Sequence, residues 1–304
     1  MIELTFWGTR GSIPSPGPQT VKYGGNTLCM ELRFNGADRR IIIDAGSGIR
    51  ELGNRLVSQS RSLQTITAEI FLTHTHLDHI VGFPFFGPIY MPDSRLKIYG
   101  PVTCEEENLE NVLGGQLSYR YFPVRQSELE ADIEHIDLRE GQYDLGDGIR
   151  LTAKYLNHTL LCLGYRFEYR GCVVCTAYDT EPFYNVFRDC APNDRDHLAC
   201  AGQQIAQAEN QRLIEFFKGT DLLIHDAQYT QAEYEGGHVG WGHSSIEHAI
   251  QTAERAGVKR LALFHHDPSR VDDQLDTFTR RYCAQRYDGG MDVFFAREGM
   301  TVGF

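Results

Sequence analysis

The run His74-Thr75-His76-Leu77-Asp78-His79 puts four strong metal-ligating groups into six positions, directly after the apolar run Ile70-Phe71-Leu72. His74 and His76, at period two, leave a strand end on one side, and the turn that follows brings Asp78 and His79 to a second point nearby. A pair of adjacent divalent ions needs this mixture: neutral imidazoles for each ion and carboxylates to offset the charge. Single histidines often end strands by chance, but four ligand groups together are not expected there, so the run points to metal chemistry. Two ions held in this way lower the pKa of a shared water enough to give hydroxide at neutral pH, and they polarise the bond under attack. No Gly-x-Ser-x-Gly occurs, and no serine or cysteine stands in a comparable context, so a side-chain nucleophile has no support.

The pattern His74-x-His76-x-Asp78-His79 resembles the signature of the metallo-β-lactamase superfamily. His158 in Leu156-Asn157-His158-Thr159, Asp179 in Tyr178-Asp179-Thr180 and His265 in Leu261-Ala262-Leu263-Phe264-His265 match the family's later ligands in order and context. The resemblance implies an α/β fold, a four-layered αββα sandwich with the metals at the edge between two sheets. It implies that His74, His76 and His158 hold one ion, that Asp78, His79 and His265 hold the other, and that Asp179 bridges them; Asp78 counts among the catalytic residues as well. His266 competes with His265 for its role, and because neighbours at a strand end face opposite ways, only one can point inward; His265 is the expectation. Asp44, closing Ile41-Ile42-Ile43, resembles the family's first motif, where an aspartate supports the ligand loop from behind; a plain turn carboxylate before Gly46 is the alternative.

The resemblance narrows toward a ribonuclease Z-like phosphodiesterase branch through Gly8-Thr9-Arg10-Gly11-Ser12, Leu223-Ile224-His225-Asp226-Ala227 and Gly242-His243-Ser244-Ser245. Small hydrolases carrying Trp7-Gly8-Thr9-Arg10-Gly11-Ser12-Ile13-Pro14 and Tyr23-Gly24-Gly25-Asn26-Thr27 are closer still, over nearly the whole chain. From this branch His243 is expected to be the general acid that protonates the leaving oxygen, with Asp226 orienting its imidazole. No glycine- and proline-rich arm of the kind that holds transfer RNA is found.

The first functional expectation is therefore attack of a metal-bound hydroxide on a small or cyclic nucleotide or sugar phosphodiester. A second keeps the hydrolase and changes the bond to a lactone, thioester or amide. A third is a non-hydrolytic diiron protein that binds or senses dioxygen; such relatives often carry glutamate where this chain keeps His76, which favours hydrolysis. Two divalent metal ions are the expected cofactors, zinc first, with manganese and iron accepting the same ligands.

The elements that must position these residues are legible as short β-rich runs at Ile2–Trp7, Leu28–Phe34, Arg40–Ile43 and Glu69–Leu72, and again at Leu151–Leu156, Gly164–Tyr169, Cys172–Ala177, Leu222–His225 and Arg260–Phe264. Ile49, Leu52 and Leu56 keep helical spacing. Ser244-Ser245-Ile246-Glu247 has the form of a capping box, with Ile246, Ala249, Ile250 and Ala253 as one apolar stripe behind it, so a helix starts just after His243. Its free N–H groups are expected to favour a phosphate near His243. Residues 103–138 and 181–219 read as polar and partly helical. Phe83, Phe85 and Phe86 stack on a base or, more simply, fill core. His135, His197, His238 and His248 have no supporting context and count as ordinary histidines.

With 304 residues, 41% hydrophobic and 11% aromatic, the chain can bury a large core, and the whole of 1–304 reads as one domain. No run approaches the roughly 20 apolar residues of a membrane span, and the first residues read as a strand and not a secretion signal, so the expected place is the cytoplasm, away from membranes. A formal charge of −12 argues against a large nucleic-acid partner and leaves a small anionic substrate open, since bound ions can make a pocket positive. A homo-oligomer also stays open. Eight cysteines, Cys29, Cys104, Cys162, Cys172, Cys175, Cys190, Cys200 and Cys283, form no disulfide framework. In Cys172-Val173-Val174-Cys175 the two thiols fall on opposite faces of a strand, which suits small buried side chains and no shared metal.

Overall fold

A computed structural model of the chain describes residues 1–60, 65–101, 108–187, 195–285 and 287–304; Cys104, Cys190 and the His197 side chain lie outside what it describes. Among the described residues fourteen strands form two sheets. The first sheet comprises β1 (Ile2–Gly8), β2 (Cys29–Phe34), β3 (Arg40–Ile43), β4 (Thr67–Phe71), β5 (Arg95–Pro101), β6 (Asp132–Leu138) and, at its other edge, β14 (Thr301–Gly303). The second comprises β7 (Gly141–Gly146), β8 (Ile149–Tyr155), β9 (Leu163–Tyr169), β10 (Cys172–Ala177), β11 (Leu222–Asp226), β12 (Arg260–Phe264) and β13 (Asp292–Phe295). Each sheet is antiparallel at one end and parallel at the other: β3 to β6 run parallel in the first, and β10 to β13 in the second.

Side-chain alternation explains the layering. In β3, Ile41 and Ile43 enter the core between the sheets, where they meet Phe6, Phe71, Tyr165, Phe167 and Phe264. Ile42, pointing the other way, packs under α1 (Ile49–Gln59) with Leu52, Leu56, Phe83 and Phe86. The outer face of the second sheet is covered by α4 (Arg195–Phe217) and α6 (Ile246–Ala256), where Phe217, Ile250 and Ala253 meet Leu223, Leu261 and Leu263. The order is helix, sheet, sheet, helix, an α/β sandwich of the metallo-β-lactamase type. The shorter helices are α2 (Leu77–Ile80), α3 (Leu109–Gly115), α5 (Gln231–Glu233), which continues as a π turn through Tyr234–His238, and α7 (Asp272–Phe278).

The apolar runs fall on strands within two residues at each end, but β5, β6, β7, β13 and β14 carry no clear sequence signal. β6, inside the segment taken as polar and partly helical, is an edge strand whose Asp132, Glu134 and Asp137 face solvent, the charge pattern that keeps an edge from pairing further. The helix after His243 begins one residue later than its capping box implied. Ser245 is the N-cap, accepting from the His248 N–H, while the Ser244 hydroxyl donates to the Thr180 carbonyl at 2.6 Å. Cys172 packs at the inter-sheet core and Cys175 in the outer one, and the six described cysteines are free.

Arg10 joins the loops at one end of the sandwich. Its side chain is fully buried and donates to the carbonyls of Gly24, Asp267 and Arg270 at 2.8–3.2 Å. Arg10→Met leaves these acceptors unpaired at about 1–3 kcal/mol each, so a loss of about 3 kcal/mol or more is expected in urea unfolding. An unchanged midpoint would mean that water reaches the loops.

Candidate metal centre

Five of the parallel strands of the two sheets deliver a polar residue at their carboxyl ends. Asp44 follows β3, His74 follows β4, Asp179 follows β10, Asp226 ends β11, and His265 follows β12. Open parallel sheets gather their ligands beyond such carboxyl ends because the chain must leave the sheet there in loops. Among the described residues six non-glycine residues have positive φ; two, Asp147 and Arg170, sit in hairpin turns, and the other four, Ser12, Asp44, Asp179 and His265, lie at this edge with φ between 40° and 64°. Each costs of the order of 1–3 kcal/mol, strain that the surrounding packing holds in place.

The seven expected ligands form two sets sharing Asp179: His74, His76, His158 and Asp179, and Asp78, His79, Asp179 and His265, each with its atoms within 4.8 Å of one another. In the first, His76 Nδ1 stands 3.0 Å from both His74 Nε2 and His158 Nε2, and Asp179 Oδ2 stands 3.6 and 3.8 Å from the same two Nε2 atoms. In the second, Asp179 Oδ1 is 3.2 Å from His79 Nε2 and 3.2 Å from His265 Nε2, while Asp78 Oδ2 is 3.5 and 3.4 Å from them. Ligands at about 2.0–2.1 Å around a tetrahedral ion stand about 3.3–3.4 Å apart, so both sets have the size of a metal polyhedron. His79 Nε2, Asp179 Oδ1 and both ring nitrogens of His265 are buried without a hydrogen-bond partner among the described residues. Buried polar atoms left so are costly, and a cation between them removes the cost.

For His79 and His158 a partner on the far side of the ring fixes the tautomer. His79 Nδ1–H donates to Asp44 Oδ2 at 2.7 Å, and Asp44 also accepts the Thr73 N–H at 2.7 Å and its hydroxyl. His158 Nδ1–H donates to the Gly242 carbonyl at 2.9 Å. The Ser12 N–H donates to Asp78 Oδ2 at 2.7 Å. Burial keeps His74 well below the ordinary histidine range and pushes His158 down to about 4, the neutral state that a ligand needs. Burial is the largest single influence on His79 and His265 and opposes their charge, yet the surrounding carboxylates together, Asp179, Asp78 and Asp44 for His79 and Asp179, Asp78 and Asp226 for His265, hold both well above that range. Two glycines make room: a Cβ on Gly11 would lie 2.2–2.8 Å from the His265 ring, and one on Gly242 would lie 2.3 Å from His158 Nδ1.

A third set, Asp179, Asp226, His243 and His265, adjoins the second. His243 Nδ1 is 2.8 Å from Asp226 Oδ2, and its ring lies 4.7 Å from that of His265 and 5.3 Å from that of His158. Asp226 is fully buried and also accepts from the N–H groups of Thr180 and Gln228. The helix start behind His243 is not open to an anion, contrary to the sequence expectation. Ser244, Ser245 and Ile246 are buried, the Ile246 N–H donates to Tyr229 O, and the His248 N–H is taken by Ser245.

His266 turns away from both sets, its Nε2 bonded to Ala296 O at 2.8 Å. Phe83 and Phe86 are core, and Phe85, 54% exposed, packs edge-on against Phe122. His135 lies on β6, and His248 on α6 faces His225 at 6.3 Å. His238 stacks on Tyr229 at 4.3 Å, close to His243. Sequence reasoning missed Thr73, Ser12 and Glu181 as supports. Thr73 and Glu181 flank His74 and Asp179-Thr180 directly, and that adjacency was the one signal available.

The family model described as Anti-Pycsar protein Apyc1 matches residues 3–189, more than half of the chain. A ribonuclease Z of Mycobacterium avium (strain 104) is 27% identical over 315 residues, covering 96% of this chain and 95% of its own. Among solved structures, the metallo-beta-lactamase fold protein YhfI from Bacillus subtilis superposes with a TM-score of 0.65 at 17% identity, over 99% of this chain and 98% of its own. The short form of human tRNase Z gives 0.62 at 21%, with the same coverage. A sandwich of this type with His/Asp clusters suited to divalent metals at its strand ends, and such relatives, lead to one assignment: the chain belongs to the Anti-Pycsar protein Apyc1 family and is a ribonuclease Z-like, metal-dependent hydrolase of the metallo-β-lactamase superfamily.

Proposed function

We propose that the protein is a phosphodiesterase that hydrolyses a small or cyclic nucleotide or sugar phosphodiester at a centre of two divalent ions, zinc first among them. The observation that carries this reading is the His243–Asp226 pair, 2.8 Å apart beside the ligand clusters. When bound, the ions supply a nucleophile from water at neutral pH and neutralise charge on the phosphoryl oxygens. Their four positive charges against the two carboxylates of Asp78 and Asp179 leave a net +2, which suits an anionic ester within an acidic protein.

The chain's own residues do the rest. His74, His76 and His158 form one ligand set, Asp78, His79 and His265 the other, and Asp179 gives one oxygen to each. Asp226 accepts Nδ1–H of His243, which turns Nε2 away from the carboxylate and leaves its proton free for the departing oxygen. Asp44 and the Gly242 carbonyl hold His79 and His158 with Nε2 inward.

A panel on the purified, metal-loaded protein tests the reading, with cyclic and linear nucleotide diesters, a sugar phosphodiester, a transfer-RNA precursor, a lactone and a thioester. Turnover of a small diester without any electron donor is expected. Turnover confined to the lactone or thioester would end the phosphodiester reading, preference for the RNA would end the small-substrate part, and activity confined to a diiron form with an optical change in air would favour the dioxygen alternative.

Gly11→Ala offers a check on the ligand set. The new Cβ displaces the His265 ring, so elemental analysis should show fewer than two ions per chain with the fold kept. A full complement of ions in this variant would remove His265 from the set.

Two coarser readings accompany the function. The pairing of the last strand, β14, with the first, β1, supports reading 1–304 as one domain. Free thiols throughout the described residues support the cytoplasm, and among those residues no helix is long and apolar enough to cross a membrane.

A further inference from the structure

Asp179, Thr180 and Glu181 follow β10 as one short run, and the last two tie the chain down on opposite sides of His243. The Thr180 carbonyl accepts the Ser244 hydroxyl at 2.6 Å, and the Thr180 N–H donates to Asp226 Oδ2 at 3.3 Å. The Glu181 carboxylate, 6% exposed, accepts the Gly240 N–H at 2.9 Å and the Tyr234 hydroxyl at 3.1 Å, and the Gly242 N–H joins the groups that hold its charge. The Glu181 N–H donates to the Asn157 carbonyl at 3.0 Å, next to the ligand His158, whose Nδ1–H donates to the Gly242 carbonyl. His243 is thus suspended between ties at 240 and 244 that both start from the run carrying the shared carboxylate Asp179.

Between Tyr234 and His243 the chain carries glycines at 236, 237, 240 and 242. Gly240 and Gly242 have φ of 89° and 83°, a region where other residues are strained. Residues 235–237, 240 and 241 are exposed, so few side chains pack this segment in place, and its course depends on where its backbone N–H groups are taken up. Glu181 takes them up at 240 and 242. A carboxylate buried this deeply is costly unless it is paired or hydrogen-bonded, and no Lys or Arg among the described residues offsets its charge. Burial raises its carboxyl above the usual value, and the N–H groups of Gly240 and Gly242 with the Tyr234 hydroxyl oppose that rise. An amide here has one acceptor oxygen for the three donors.

We propose that Glu181 is a positioning residue for the proton donor: by taking up the N–H groups of the backbone at 240 and 242 it sets where His243 stands relative to the shared ligand Asp179. The proposal rests on the phosphodiesterase reading, in which His243 protonates the leaving oxygen. Asp226 fixes the rotation of the imidazole through Nδ1, and Glu181 fixes the backbone from which that side chain hangs. Loss of the Glu181 carboxylate therefore acts on proton delivery, where a displacement of about 1 Å costs on the order of 10²-fold, and leaves both ions in place.

The test follows metal-loaded Glu181→Gln and Glu181→Asp on a nucleoside phosphodiester, whose leaving alkoxide needs a proton, and on a nitrophenyl ester, whose leaving group does not. Glu181→Gln should lower kcat on the first by about 10- to 100-fold, the range typical of groups that act from behind a functional side chain. Its KM should stay close to wild type, two ions should remain by elemental analysis, and its loss on the nitrophenyl ester should be much smaller. Glu181→Asp keeps the charge but withdraws the oxygens by one methylene, so it should show the same unequal loss, and it carries the comparison if the glutamine variant does not fold. Added to His243→Ala, Glu181→Gln should cost almost nothing more on the nucleoside ester, because residues that act through one step are not additive. Unchanged rates in both variants, equal losses on both esters, loss of an ion, or a full multiplicative loss in the double variant would overturn the proposal. If wild type hydrolyses neither ester, the phosphodiesterase reading fails by itself. The imidazole proton resonances of His243, identified by their absence from His243→Ala, then still decide: they shift in Glu181→Gln if the carboxylate places this ring, and stay where they are if it does not.

Discussion

Asp179→Asn is expected to reduce the protein from two ions to at most one and to lower turnover by about 10³-fold or more. The carboxylate sends Oδ2 to His74 and His158 and Oδ1 to His79 and His265. A carboxamide has a single acceptor oxygen, so it can serve one cluster, and its NH₂ group then faces the ring nitrogens of the other with protons they cannot bond while holding an ion. Groups behind the ligands are typically worth about 10- to 100-fold in affinity or activity, and a shared ligand exceeds that. Asparagine is the informative replacement because Asp179 has a φ of 40°, a conformation that asparagine tolerates and alanine does not. Asp44→Asn is the natural contrast: it weakens the hydrogen bond behind His79 and should cost only about 10- to 100-fold, in retention of the ion on the His79 side. Elemental analysis and circular dichroism of the variants decide the matter. Two ions retained in folded Asp179→Asn would show that the clusters do not share this carboxylate.

His243→Ala should keep both ions and lose about 10²- to 10⁴-fold in rate on a nucleoside phosphodiester, whose leaving alkoxide must be protonated. On a nitrophenyl ester, whose leaving group departs without a proton, the loss should be much smaller. The unequal loss follows from geometry: Asp226 occupies Nδ1 at 2.8 Å and leaves Nε2 as the one nitrogen able to deliver a proton. Asp226→Asn should repeat the pattern in weaker form, because an amide still orients the ring but no longer balances its charge. Equal losses on both esters with the ions in place would make His243 a phosphate-binding group, and no loss on either would leave it a structural residue packed against His265.

Much of this site is legible in the chain because its chemistry is local. His74, His76, Asp78 and His79 sit within six residues, and Asp44, Asp179 and His265 each follow an apolar run that announces a strand end. Periodicity alone also places α1, α6 and the buried strands, since a strand such as Ile41-Ile42-Ile43, covered on both faces, must be apolar throughout. The edge strands β6 and β7 escape because half of their residues face water, so that Asp132-Ile133-Glu134-His135 reads as a polar loop.

What the sequence determines by itself is thus the ligand inventory, its order along the chain and the αββα layering, each set by short-range spacing and by which faces are apolar. What only the tertiary structure decides is who meets whom. Asp179 is shared by two clusters because β10 of one sheet ends opposite β4 of the other. Of the adjacent pair His265 and His266, one enters the cluster and the other bonds Ala296, because the chain leaves β12 at a φ of 60°. The helix after His243 offers no anion site because Tyr229, from a distant loop, takes its first N–H. Glu181, two residues after Asp179, takes the Gly240 N–H and the Tyr234 hydroxyl. None of these has a signature in local spacing, since each depends on contacts between residues 17 to 105 positions apart that only the tertiary packing brings together.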